Sequence, residues 1–147
     1  MKQTLSLIVV AIVMSLGVHA QSKPNFSGRW VQVSPTAEME GGGSEQVITQ
    51  TATTVTTEHP SEGGGHKQTF TIDAESKSMV GQVPVVSKTA WVGPTLVITS
   101  TATYPGDVKR ESKQIWSLRP DGTLAIEFTL KNPDGTTTEI KSIHRKR

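Results

Sequence analysis

From residue 124 to residue 130 every second position is large and apolar. Leu124, Ile126, Phe128 and Leu130 alternate with Ala125, Glu127 and Thr129. A period of two puts the first set on one face of a β-strand, and that face is the buried one. Weaker alternation recurs through the rest of the chain. It predicts strands over Gly28–Ser34, Glu45–Gln50, Thr54–His59, 66–73, 85–92, Thr95–Tyr104, Val108–Leu118, 123–131 and 136–144. Between them lie turn signals such as Gly93-Pro94, Pro105-Gly106-Asp107, Pro120-Asp121-Gly122 and Asn132-Pro133-Asp134-Gly135. Proline presets φ and glycine accepts positive φ, so these segments reverse the chain. No stretch carries an apolar period of 3.6 residues, so helices are not expected. Short strands at regular spacing predict an all-β fold, an antiparallel up-and-down meander closed into a barrel.

The inward faces are graded. In Thr95–Tyr104 the face begins with Leu96 and Ile98 and ends with Ser100, Ala102 and Tyr104. In Val108–Leu118 it begins with Arg110, Ser112 and Gln114 and ends with Trp116 and Leu118. In 66–73 it runs from His66 and Gln68 to Phe70 and Ile72. Antiparallel neighbours with opposite gradients place all apolar ends at one pole. The parity holds if the chain crosses twice between 66–73 and Thr95–Tyr104, once as 85–92 and once as a short strand near 78–80. That gives ten strands; if 78–80 is a loop, there are nine. Short connections then close the apolar pole. The glycine-rich loops 35–44 and 60–65 ring the other, which becomes a mouth. His66, Gln68, Tyr104, Arg110 and Gln114 are the expected ligand-binding residues there. Arg110 is the sharpest of them, because a charge facing inward needs an anionic partner or water.

Composition narrows the function classes. The 147 residues are 34% hydrophobic and 5% aromatic, so the core must come from placement rather than bulk. Fifteen basic residues against 13 acidic leave a net charge of +2, which gives no general reason to expect a nucleic-acid partner. There is no cysteine, which removes disulfides, thiol catalysis, cysteine-based metal sites and a lipoprotein anchor. Lys2, the apolar run 5–16 and Val18-His19-Ala20 have the order of a cleavable export signal. The expected organisation is therefore a signal peptide over 1–20 and one barrel domain over 21–147. The exported product would be periplasmic or extracellular, with no membrane span in its mature part. No catalytic motif is present, and no cofactor or metal is expected. Glu58, His59, Glu62 and His66 match no metal-ligand spacing and read as a solvated loop.

Asn25-Phe26-Ser27-Gly28-Arg29-Trp30 resembles the amino-terminal Gly-x-Trp signature of the calycins, the lipocalins and fatty-acid-binding proteins. Trp91-Val92-Gly93, Leu96 and Trp116-Ser117-Leu118-Arg119-Pro120-Asp121-Gly122 are similar to a pattern of small secreted lipocalin-like proteins of bacteria. The resemblance implies that Gly28 and Trp30 sit at the closed floor. It also implies that a late arginine, Arg145 first and Arg147 second, covers the tryptophan ring. Two departures stand out: 35–44 is too short for the two helices of fatty-acid-binding proteins, and the late helix of lipocalins has no counterpart. The function implied is non-enzymatic binding of a small amphipathic or apolar molecule in a calyx. The alternative is a secreted protein-interaction module, inhibitor-like or an envelope accessory, with a protein partner instead of a ligand.

Overall fold

Each turn signal returns the chain beside the strand it has just left, so consecutive strands pair everywhere except between the fourth and the fifth. In the computed structural model, which describes residues 22–34, 44–61 and 65–147, ten strands follow in order. They are β1 (Gly28–Ser34), β2 (Glu45–Gln50), β3 (Thr54–His59), β4 (His66–Thr71), β5 (Ala74–Val80), β6 (Val83–Val92), β7 (Thr95–Tyr104), β8 (Val108–Leu118), β9 (Leu124–Lys131) and β10 (Thr137–Lys146). The sheet order is β4-β3-β2-β1-β10-β9-β8-β7-β6-β5, every ladder antiparallel. β10 returns beside β1, with Trp30 opposite Lys146 and Gln32 opposite His144. The export signal, its cleavage point after Ala20, Glu62 and the Gly41-Gly42-Gly43 loop lie outside the described residues. No described helix is long and apolar enough to cross a membrane.

The two edges of the sheet, β4 and β5, meet without a ladder. Side chains close the seam instead. The Thr71 amide donates to Ser76 Oγ at 2.7 Å, and Gln68 Nε2 donates to Ser78 Oγ at 3.3 Å. Ile72 forms a single parallel bridge to Thr89. The barrel is nearly closed, and it has ten strands rather than nine.

Two Pro-Asp-Gly-Thr turns frame β9. Asp121 Oδ1 accepts from the Thr123 amide at 3.0 Å, and Asp134 Oδ1 accepts from the Thr136 amide at 2.9 Å. The threonine hydroxyls donate to the same oxygens, and these bonds hold both carboxyls below the usual range.

The core fills the floor half. Trp30, Ile48, Val55 and Phe70 from β1–β4 meet Leu96, Ile98, Trp116, Leu124 and Ile126 from β7–β9. Phe26, just before β1, is fully buried with them. Its ring stacks on Trp91 and meets Trp116 edge-on, both at 5.8 Å between centroids. Trp30 Nε1 donates to the Phe26 carbonyl at 2.8 Å, so no indole donor is stranded in the apolar floor.

The cation on Trp30 is Lys146, with Nζ 5.7 Å from the ring centroid. The expectation that Arg145 covers it is corrected, and strand parity is the reason. His144 faces inward, so Lys146 shares that face while Arg145, opposite Val31, is turned out and exposed. Arg147 instead bonds Glu45 Oε2 at 3.0 Å, and Arg29 bonds the other oxygen of the same carboxylate. Gly28, at φ 145°, leaves room for this arrangement, because a Cβ there would lie 2.5 Å from Lys146 Cε.

Candidate functional site

Above the packed floor the inward rows of β4–β9 change character. They line a half-open cavity of about 430 Å³. All five residues expected from parity line it: His66 and Gln68 from β4, Tyr104 from β7, and Arg110 and Gln114 from β8. Their convergence follows from register, since Tyr104 stands opposite Val108, Ala102 opposite Arg110 and Ile98 opposite Gln114. Ser100 and Ser112, directly paired, lie between these levels and also line the cavity.

The apolar wall comes from both flanks: Val80, Val83 and Val85 on β5–β6, and Phe128 and Leu130 on β9. Val80 and Val83 were not legible as wall. The signal was there in Val80-Gly81-Gln82-Val83, a two-residue turn with Gly81 at φ 61° that joins β5 to β6.

The polar groups are partly committed. Gln114 Oε1 accepts from Trp116 Nε1 at 3.0 Å. Ser100 and Ser87 share a hydrogen bond of 2.7 Å. Arg110 lies over the Tyr104 ring, 5.5 Å from its centroid, and among the described residues makes no ion pair. Asp134, held down first by Thr136, feels Arg110 only as its smallest stabilising cause. A groove of similar volume, about 410 Å³, lies over β7–β9. It is bordered by Glu111 and Lys131, which pair at 3.7 Å with more than 60% of each side chain exposed, so it faces water.

His59 and His66 stand opposite each other across β3–β4, while Glu62 lies outside the described residues. Among the described residues no three of His, Asp and Glu gather as a metal cluster.

Sequence reasoning also missed His144, which is only 5% exposed. Its Nε2 is 2.9 Å from Ser142 Oγ, and its Nδ1 is 3.5 Å from Gln46 Nε2. The neutral ring with hydrogen on Nε2 fits both contacts: Gln46 donates to Nδ1, and Nε2–H donates to Ser142. Burial first, and then the charge of His59, push the pKa of His144 below 6.5. A lowered folded pKa means that the unfolded chain takes the proton first. The His144 contribution is therefore complete above pH 6.5 and is lost as pH falls through the folded value. Urea midpoints measured from pH 8 to 5 will fall on the acid side. His144→Gln will flatten that fall; an unchanged slope would remove His144 as its source.

No protein-family model matches the sequence, and no curated protein matches it either. Solved structures do. REP1-NXSQ, a fatty acid transporter, superposes with a TM-score of 0.60 at 11% identity, over 82% of this chain and 95% of its own. Human cRBP IV, a cellular retinol-binding protein, gives 0.61 at 15% identity, over 84% of this chain and 99% of its own. At such identities the shared feature is the fold: like these two proteins, the chain forms a nearly closed antiparallel β-barrel.

Proposed function

We propose that the chain is exported and that residues 21–147 act as a non-enzymatic carrier, holding one small amphipathic or apolar molecule inside the barrel. One observation carries this reading: an interior cavity of about 430 Å³ with apolar flanks and a few convergent polar groups. Burying a ligand's apolar surface against Val83, Val85, Phe128 and Leu130 contributes roughly 25 cal/mol per Å². The polar groups fix its orientation. The structural neighbours are named for fatty acid transport and retinol binding, which supports binding rather than a reaction. Val80 and Tyr104, 45% and 37% exposed, both line the cavity. They read as upper wall of a ligand site more readily than as a protein-docking patch. Export rests on Lys2, the apolar run 5–16 and Ala20.

The test is native mass spectrometry of protein taken from the exported fraction without detergent, followed by titration of the delipidated protein with anilinonaphthalene sulfonate. The expected results are a mass beginning at Gln21, a small adduct lost on denaturation, and saturable one-to-one enhancement of probe fluorescence. A retained leader overturns export. A clean mass together with no probe response overturns the carrier reading.

A further inference from the structure

We infer that the β2–β3 hairpin is a swap hinge: residues 51–53 straighten, β2 and β3 join into one strand, and β1 and β2 pass into a second copy of this chain. The observation behind it is a repeat. Val47-Ile48-Thr49-Gln50-Thr51-Ala52-Thr53 recurs as Val97-Ile98-Thr99-Ser100-Thr101-Ala102-Thr103, with a single difference. The later copy lies wholly within β7 and is extended, paired with β6 on one side and β8 on the other. The earlier copy leaves β2 at Gln50 and reverses. Nearly the same seven residues take both forms, so their surroundings decide between them.

The reversal is weakly encoded. From Val47 to Thr57, nine of eleven residues are Val, Ile or Thr, and none is Gly, Pro or charged. Such a run favours an extended strand. Every other fully described connection between strands contains a residue at positive φ, glycine in all but one; residues 51–53 contain none. A two-residue hairpin loop without positive φ works against the twist of its strands. A hydroxyl holds this one instead. Thr51 Oγ1 accepts from the Thr54 amide at 3.0 Å and from the Thr53 amide at 3.3 Å, and it lies 2.8 Å from Thr54 Oγ1. Thr51, Ala52 and Thr53 are exposed, so straightening them uncovers no core.

A second copy restores what opening removes. Phe26, Trp30 and Ile48 travel with the exchanged segment and enter the floor of the other copy. The β1–β10 and β2–β3 ladders re-form between chains. The two straightened hinges cross and pair with each other, which adds contacts that the monomer lacks. The monomer is favoured only by the entropy of separate chains, so exchange grows with protein concentration.

The test is refolding from urea at high protein concentration, followed by size exclusion with light scattering. A dimer is expected that returns to monomer only slowly on dilution. Refolding equal parts of isotope-labelled and unlabelled chain should give isotope-filtered NOEs from β2 of one chain to β3 of the other. Thr51→Val removes the acceptor and keeps the strand preference. It should raise the dimer association constant at least about tenfold, because two turns open per dimer. Ala52→Asn combined with Thr53→Gly supplies the type I′ turn that these positions lack and should leave only monomer. All three substituted residues are exposed, so the fold persists in both variants. No dimer in the wild-type protein, a dimer fraction unmoved by Thr51→Val, a dimer that survives the Asn-Gly turn, or one without the interchain contacts overturns the inference.

Discussion

Replacing Phe26 with alanine will destabilise the barrel by about 3–5 kcal/mol, the range for a fully buried phenylalanine that leaves a void. The ring is fully buried, stacked on Trp91 at an interplanar angle of 11° and edge-on to Trp116 at 84°. Relaxation into the void is limited, because the backbone around it is pinned independently of the ring. The Phe26 amide donates to Gln50 Oε1 at 2.9 Å, and Gln50 Nε2 donates to the Pro24 carbonyl at 3.1 Å. The Gln50 amide in turn donates to Ser27 Oγ at 2.9 Å. These bonds survive the substitution and hold the segment across the floor, so the gap stays open. Phe26→Leu refills most of it and should cost about 1–2 kcal/mol. Urea denaturation of both variants checks the pair. A loss under about 1 kcal/mol for Phe26→Ala would mean that the floor collapses freely and that the aromatic cluster is not rigid.

Phe26 also shows where the sequence stops being legible. It lies outside any strand, so no alternation marks it, and its ring packs against Trp91 and Trp116, which distant strands bring to it. By contrast, Thr95–Tyr104 and Val108–Leu118 were readable to the residue, because glycine and proline punctuate both ends. β5 was readable only at its tail. Ala74-Glu75-Ser76-Lys77-Ser78 has no large apolar residue, because Ser76 and Ser78 spend their inward face on the seam with β4. Its pairing with β6 is carried by backbone hydrogen bonds, which leave no side-chain signature.

The error at Arg145 is of another kind. Ile140, Ser142, His144 and Lys146 form one row, and extending β10 two residues past the expected end puts Lys146, not Arg145, opposite Trp30. Parity was sufficient there, but the family resemblance favoured an arginine over the residue that alternation selects. At the cavity, parity alone sufficed. Register converts a gradient along each strand into a shared level around the barrel, so His66, Gln68, Tyr104, Arg110 and Gln114 meet although they are far apart in sequence.

That convergence makes the cavity testable without knowledge of its natural occupant. Ala102→Trp will reduce binding of any cavity ligand by at least about tenfold, or about 1.4 kcal/mol, while the fold persists. Ala102 faces inward opposite Arg110 and lines the void between Tyr104 and Ser100. An indole there occupies the space that a ligand needs, and it meets the apolar side chains Val85 and Leu130 rather than backbone. Because the site is hollow, the added bulk does not overpack a filled core, which is the usual reason such changes destabilise. Thr103→Trp is the matched control. It stands opposite Lys109, one residue further along β7, and therefore faces outward. Probe titrations should show binding lost in Ala102→Trp and retained in Thr103→Trp, with both variants melting within a few degrees of the parent. Equal binding by the two would place the ligand outside the barrel. An unfolded Ala102→Trp would mean that the interior is packed in solution, and the carrier reading would fail with it.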